Sequence, residues 1–161
     1  MKDLILKLIG LLYFQFMGLF KKAFRVLLNS AIKYHYFENK DFFINHRCEL
    51  KNPKNISIGK GSVIGRCTIG ADEKVKIGQN VTISQDVIIE TGSLTRNGDS
   101  RHSSKQITIG NNCWIGARAI ILGGVVLGEN VTIGAGEVVR KSIPSNSTFV
   151  LGEIRHAEKN S

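Results

Sequence analysis

Ile107 to Pro144 reads ITIGNNCWIGARAIILGGVVLGENVTIGAGEVVRKSIP, and an aliphatic residue returns in it at every sixth position. The series is Ile109, Ile115, Ile121, Leu127, Ile133 and Val139, without a break. A small residue follows most of its members, as in Ile109-Gly110, Ile115-Gly116, Leu127-Gly128 and Ile133-Gly134. This period matches neither the 3.6-residue turn of a helix nor the simple alternation of a strand. It suits a strand of about four residues followed by a short corner, a unit that repeats in solenoids. Three such units close one triangular coil, and successive coils stack as parallel strands with their aliphatic residues in the centre. Corners require backbone that most side chains disfavour, and Gly78-Gln79-Asn80, Gly110-Asn111-Asn112 and Gly128-Glu129-Asn130 supply residues that tolerate it. The sequons Asn80-Val81-Thr82 and Asn130-Val131-Thr132 are therefore expected as corners, not as glycosylation sites.

Working outward, the same register continues upstream at Ile77, Ile83 and Ile89, and before them at Ile58 and Ile64. The spacing from Ile64 to Ile77 holds one residue too many, which predicts a single-residue bulge near Ala71-Asp72-Glu73-Lys74. After Ile89 the next strand is due at position 95. Instead TRNGDSRHSSKQ, Thr95 to Gln106, supplies no aliphatic residue until Ile107. A polar segment of this length cannot fill an apolar centre, so a surface loop is expected over 95–106. The predicted organisation is a helical segment over 1–37, an all-β solenoid over 38–144 carrying that loop, and a tail over 145–161.

The chain has 161 residues, enough for one domain, and its net charge of +9 is unevenly placed. Residues 1–60 hold 11 Lys and Arg against 4 Asp and Glu, whereas residues 61–161 hold 11 against 9. A nucleic-acid surface would spread its basicity over the body. Here it belongs to an arm on a near-neutral body. Leu4 to Phe20 is apolar apart from Lys7 and Gln15, yet as a helix it reaches only about 25 Å, short of the ~30 Å hydrocarbon core. At about 100° per residue, Asp3, Lys7, Gln15, Lys21, Lys22, Arg25 and Asn29 share an arc of roughly 140°. Leu4, Leu11, Phe14 and Leu28 intrude on it. A basic amphipathic helix over residues 1–30 is the form expected to lie on an anionic membrane surface. The competing reading packs its apolar face on the protein's own core or on a sister subunit. Three cysteines, Cys48, Cys67 and Cys113, cannot pair completely, and no Cys/His cluster has zinc-ligand spacing, so no metal is expected.

Ile107–Pro144, with the repeat around it over about residues 44–155, resembles the hexapeptide-repeat acyltransferases, in particular the sugar, xenobiotic and serine O-acetyltransferases. The resemblance implies a left-handed parallel β-helix, a homotrimer, and acetyl-CoA as acyl donor. It also implies that the loop walls an active site between subunits. Within it, Gly98-Asp99-Ser100-Arg101-His102 is similar to the Gly-Asp-Arg-His segment of serine acetyltransferases, with Ser100 inserted. Acyl transfer to a hydroxyl needs a base that works near neutral pH, which imidazole provides. His102 is the candidate, with Glu90 or Asp99 as orienting carboxylate and Asn97 and Arg101 as acceptor contacts. Cofactor candidates are Trp114, Gly116-Ala117 and Gly134-Ala135-Gly136 along the pantetheine arm, with Arg140, Lys141 and Arg155 at the phosphates.

Two departures stand out. Sugar acetyltransferases of the family place a histidine where this chain has Leu94, in Thr91-Gly92-Ser93-Leu94, and the second histidine of serine acetyltransferases falls near Arg66 and Cys67. Either His102 has taken over as base, or a carboxylate such as Glu90 serves, or the activity is lost. His35, His46 and His156 are expected to be structural or solvated. The leading expectation is an acetyl-CoA-dependent O-acetyltransferase acting on a sugar hydroxyl in surface-polysaccharide assembly, peripheral at the cytoplasmic membrane face. The alternatives are serine acetylation or an inactive scaffold in a membrane complex.

Overall fold

The computed structural model describes residues 2–97 and 99–156, with side chains for all of these except 2–15, 25, 29, 93–97 and 99–102. A helix, α1 (Lys2–Tyr36), leads into a stack of coils. The first coil is β1 (Phe43–Ile44), β2 (Glu49–Lys51) and β3 (Ile56–Ile58). The second is β4 (Val63–Ile64), β5 (Cys67–Gly70) and β6 (Val75–Ile77). In the third, β7 (Thr82–Ile83) and β8 (Val87–Glu90) are followed by β9 (Gly92–Asn97) and β10 (Asp99–Ser104) before β11 (Ile107–Ile109). The fourth is β12 (Trp114–Ile115), β13 (Ile120–Leu122) and β14 (Val126–Leu127). The fifth holds β15 (Thr132–Ile133) and β16 (Val138–Val139) and closes through a parallel bridge from Ile143 to Leu127.

Three parallel sheets result, one per side of the prism. β1, β4, β7, β12 and β15 form side one, β2, β5, β8, β13 and β16 side two, and β3, β6, β11 and β14 side three. The hexad residues become ladder partners: Ile83, Ile115 and Ile133 on side one, Ile69, Ile89, Ile121 and Val139 on side two, Ile77, Ile109 and Leu127 on side three. All are buried. A second inward series, two positions earlier, contributes Val75, Val81, Val87, Ile107, Cys113, Ala119, Val125 and Val131, so each side of a coil sends two side chains to the centre. Burying each such Ile contributes about 1.5–3 kcal/mol.

The corners explain the asparagines. Asn80, Asn112, Asn130 and Asn146 stack at successive corners between sides three and one, with φ of 53°, 56°, 55° and 57°. Asn tolerates this left-handed backbone better than other residues with a Cβ. Stacked side chains then bond along the prism, Asn130 Nδ2 donating to Asn146 Oδ1 at 2.9 Å. The sequon asparagines are corner residues.

Three expectations are modified. The irregularity between Ile64 and Ile77 is not a single bulge: Ile69 comes one position early, and the corner Ala71–Lys74 absorbs two extra residues. Residues 95–106 are mostly not loop, because β9 and β10 pair as an antiparallel ribbon from Gly92↔Ser104 to Asn97↔Asp99. The segment after 144 is not a free tail. β17 (Ser147–Val150) adds a rung to side one beside β15, and β18 (Glu153–His156) returns antiparallel to it.

The other end of the prism is closed by aromatic residues. Phe37 and Phe42 are buried with ring centroids 5.2 Å apart, and Ile32 of α1 packs against the core. Further up the helix, Phe16, Leu19, Phe20, Phe24 and Leu27 are exposed, so this part of α1 does not pack on its own solenoid. No helix among the described residues is long and apolar enough to cross a membrane.

Candidate active site

The β9–β10 ribbon leaves the prism at the corner between sides two and three, and its neck is held from both directions. Lys105 N donates to Thr91 O at 3.0 Å, closing the neck. The buried Thr91 hydroxyl donates to Gly70 O at 3.1 Å and accepts from Glu73 N at 3.2 Å, which fixes it to the coil before. Gly124 N donates to Gln106 O at 3.1 Å, which fixes it to the coil after.

Glu90 ends β8 at this neck, between Gly70 and Leu122 in the ladder. Its carboxylate accepts from Gly92 N at 3.2 Å and lies across Gly70, where an added Cβ would stand 2.6 Å from the carboxyl carbon. A side chain at 70 would displace it. Asp72 approaches from the preceding coil, held by Asn52 Nδ2 at 3.0 Å. A Cβ on Gly92 would meet Glu90 Oε1 at 3.4 Å and Asp72 Oδ2 at 3.5 Å, so two carboxylates converge on the start of the ribbon. Asp72 is the residue that the sequence reading missed. Its only signal was the irregular corner Ala71–Lys74.

The side chains of His102, Asp99, Asn97 and Arg101 lie outside the described residues, but their backbone positions are set by the ribbon. His102 is the register partner of Leu94, two positions beyond the Gly92↔Ser104 pair at the neck, or roughly 7 Å along the strand. Asp99 and Asn97 pair at the far end.

The cofactor candidates fall into two groups. Gly116-Ala117 and Gly134-Ala135-Gly136 occupy consecutive corners between sides one and two, where Gly116 N donates to Ile133 O and Gly136 N to Ala117 O, each at 2.8 Å. A Cβ on Gly116 would stand 2.6 Å from Ala135 N, so tight stacking already requires glycine there. Trp114 is exposed on the adjoining side one, its Nε1 donating to Ser84 Oγ at 3.3 Å. Arg140 and Lys141 lie elsewhere, on the edge that bears the ribbon, two coils further on. Arg155 is on β18, 3.9 Å from Glu153 in an exposed ion pair. Along the glycine-bearing edge runs a charged column that the sequence did not reveal: Arg66 binds Asp86 at 2.7 Å, and Arg118 adds to the field there. The hydrogen bond from Arg66 holds the Asp86 carboxyl below the usual carboxylate range.

Comparison with known proteins follows this architecture. A family described as "Bacterial transferase hexapeptide (six repeats)" matches residues 106–141. Galactoside O-acetyltransferase of Escherichia coli (strain K12) is 43% identical over 110 residues, 60% of this chain and 53% of that protein. The chain thus spans about half the length of that curated relative. A solved maltose O-acetyltransferase from Clostridium difficile 630 superposes with a TM-score of 0.71 at 30% identity, covering 78% of this chain and 71% of that one. The chain belongs to the hexapeptide-repeat acetyltransferase family. A galactoside acetyltransferase solved in complex with coenzyme A resembles this hexapeptide-repeat protein with a TM-score of 0.64 at 25% identity, covering 84% of this chain and 81% of that one. Serine acetyltransferases match too, over a smaller share of their own length.

Proposed function

We propose that this hexapeptide-repeat protein is an acetyl-CoA-dependent O-acetyltransferase acting on a sugar hydroxyl. The observation that carries this reading is the pairing of His102 with Leu94 on a ribbon rooted beside Glu90, in a chain similar to galactoside and maltose O-acetyltransferases. His102 accepts the hydroxyl proton as the oxygen attacks the thioester carbonyl. A backbone N–H stabilises the tetrahedral oxyanion, and collapse expels the coenzyme A thiolate, which takes the proton back from the imidazolium. Glu90, nearer the neck than Asp99, is the better placed orienting carboxylate. Asn97 and Arg101 further along the ribbon contact the acceptor.

The donor lies along the edge of Trp114, Gly116-Ala117 and Gly134-Ala135-Gly136, a different edge from the ribbon's. Side two separates them and carries an outward ladder, Ile88, Ile120 and Val138, partly exposed. Burying this stripe against a neighbouring copy brings one ribbon towards the next copy's glycine edge, as a closed cyclic homotrimer would. Arg140, Lys141 and Arg155 then serve as phosphate contacts from more than one subunit. The basic helix α1 supports a peripheral station at the cytoplasmic membrane face, where lipid-linked glycans for surface polysaccharides are presented.

Thioester turnover read as free thiol tests the reading, with galactosides, maltose, serine or no acceptor. Sugar-dependent release that disappears in His102→Ala is the expected result. Serine-dependent release supports the serine acetyltransferase alternative. Absence of release with every acceptor, together with no binding of coenzyme A, leaves the scaffold.

A further inference from the structure

We infer that the cleft between α1 and the first coil binds the phosphate headgroup of an anionic membrane lipid. The site deepens the peripheral-membrane reading above and rests on it. The cleft, of about 410 Å3, is lined by Gly18, Lys21, Lys22, Phe24, Leu28, His46 and Arg47. Three of these seven are cations, and among the described residues no carboxylate lines the cleft. His46 Nε2 is shielded from solvent and has no hydrogen-bond partner among the described residues. A buried polar atom of this kind is costly unless something satisfies it, and an imidazole N–H can donate to a phosphate oxygen. Arg47 brings a guanidinium fork suited to the same group.

The neighbouring surface says what the phosphate is attached to. Lys22 also borders an apolar face of α1 formed by Leu19, Ala23, Val26 and Leu27. Leu19 and Leu27 are 74% and 69% exposed, so this face has no partner among the described residues. A charged socket that opens onto an uncovered apolar strip is complementary to an amphiphile with an anionic head, whereas a free phosphate would leave the strip bare. Two of the socket residues, His46 and Arg47, come from the solenoid and not from the helix. A lipid held there fixes how the prism stands relative to the bilayer.

Flotation of the full chain with phosphatidylcholine vesicles, with and without phosphatidylglycerol, tests the site. Binding is expected only with phosphatidylglycerol, and weakening of roughly fivefold in Arg47→Ala, the effect of one cation at an anionic surface. His46→Ala should weaken binding as well, with His46→Gln retaining more of it because its amide still donates. Lys76→Ala, on side three in the second coil, removes the same charge away from the cleft and should bind as the parent does. Parental binding by His46→Ala and Arg47→Ala overturns the socket while leaving attachment by the helix alone. Absence of binding to either vesicle overturns both. Displacement by inorganic phosphate at matched ionic strength overturns the lipid in favour of a soluble phosphate ligand. Helix content by circular dichroism shows that each variant is folded, and none of these readouts depends on thioester turnover.

Discussion

Leu94 and His102 are register partners across the β9–β10 ribbon. Positions 94 and 102 thus lie side by side on the ribbon backbone. His102→Ala is expected to lower kcat/KM by about 100- to 10,000-fold, the usual effect of losing a general base. The double variant Leu94→His/His102→Ala should recover part of that loss. Recovery no better than His102→Ala alone would show that position 94 has no access to the acceptor.

The glycine edge separates packing from cofactor contact. Gly116→Ala places a methyl 2.6 Å from Ala135 N, a clash with backbone that cannot swing away. Overpacking of this kind costs about 1–3 kcal/mol, so its urea midpoint should fall. Gly136 has open space around it and a φ of 75°. Gly136→Ala should cost only the backbone strain, about 1 kcal/mol, and any larger effect on KM for acetyl-CoA would report contact with the donor.

Ile121 sits between Ile89 and Val139 and is fully buried. Ile121→Ala should destabilise the fold by about 2–5 kcal/mol in equilibrium unfolding, since stacked rungs leave little room to collapse into the void.

Asp86 gives a pH signature. Arg66 keeps its folded-state value below that of the unfolded chain, about 3.9, so the folded state favours the charged carboxylate. The stabilisation is complete above the unfolded value and is lost as pH falls through the folded one. Asp86→Asn should therefore unfold at lower urea than the parent near neutrality, and the difference should vanish in acid. Asn keeps the left-handed corner at this position, where φ is 59°, so the variant isolates the charge.

All three cysteines are free and buried, with Cys48 and Cys67 Sγ atoms 3.2 Å apart across neighbouring coils. The hydrogen bond to Cys48 pushes the Cys67 thiol up, and burial does the same for Cys113. Thiolate, not thiol, is the reactive form, so a disulfide reagent should titrate these groups only after unfolding.

The solenoid was legible because its signal is repetitive. Every hexad aliphatic from Ile58 to Val139 is buried, and Asn80, Asn112 and Asn130 are the left-handed corners that their neighbours suggested. What escaped was local pairing without hydrophobic patterning. Residues 92–104 hold a single aliphatic residue, Leu94, and carry no hydrophobic alternation, yet β9 and β10 pair as a ribbon. The β17 rung escaped because the step from Val139 to Ile143 is two residues short of a hexad, which puts Ile143 and Phe149 out of register with the series before them. Asp72 could not be foreseen, since its approach to Gly92 depends on how two coils stack and not on sequence distance.

The neck of the ribbon has one further consequence. Ile77 and Ile109 stay adjacent rungs although a whole excursion separates them, and the excursion begins and ends one hydrogen bond apart at Thr91 and Lys105. The prism is thus indifferent to what is inserted there. A corner of this type works as a socket, able to take a different cassette of a dozen or so residues while the masonry beneath is left untouched.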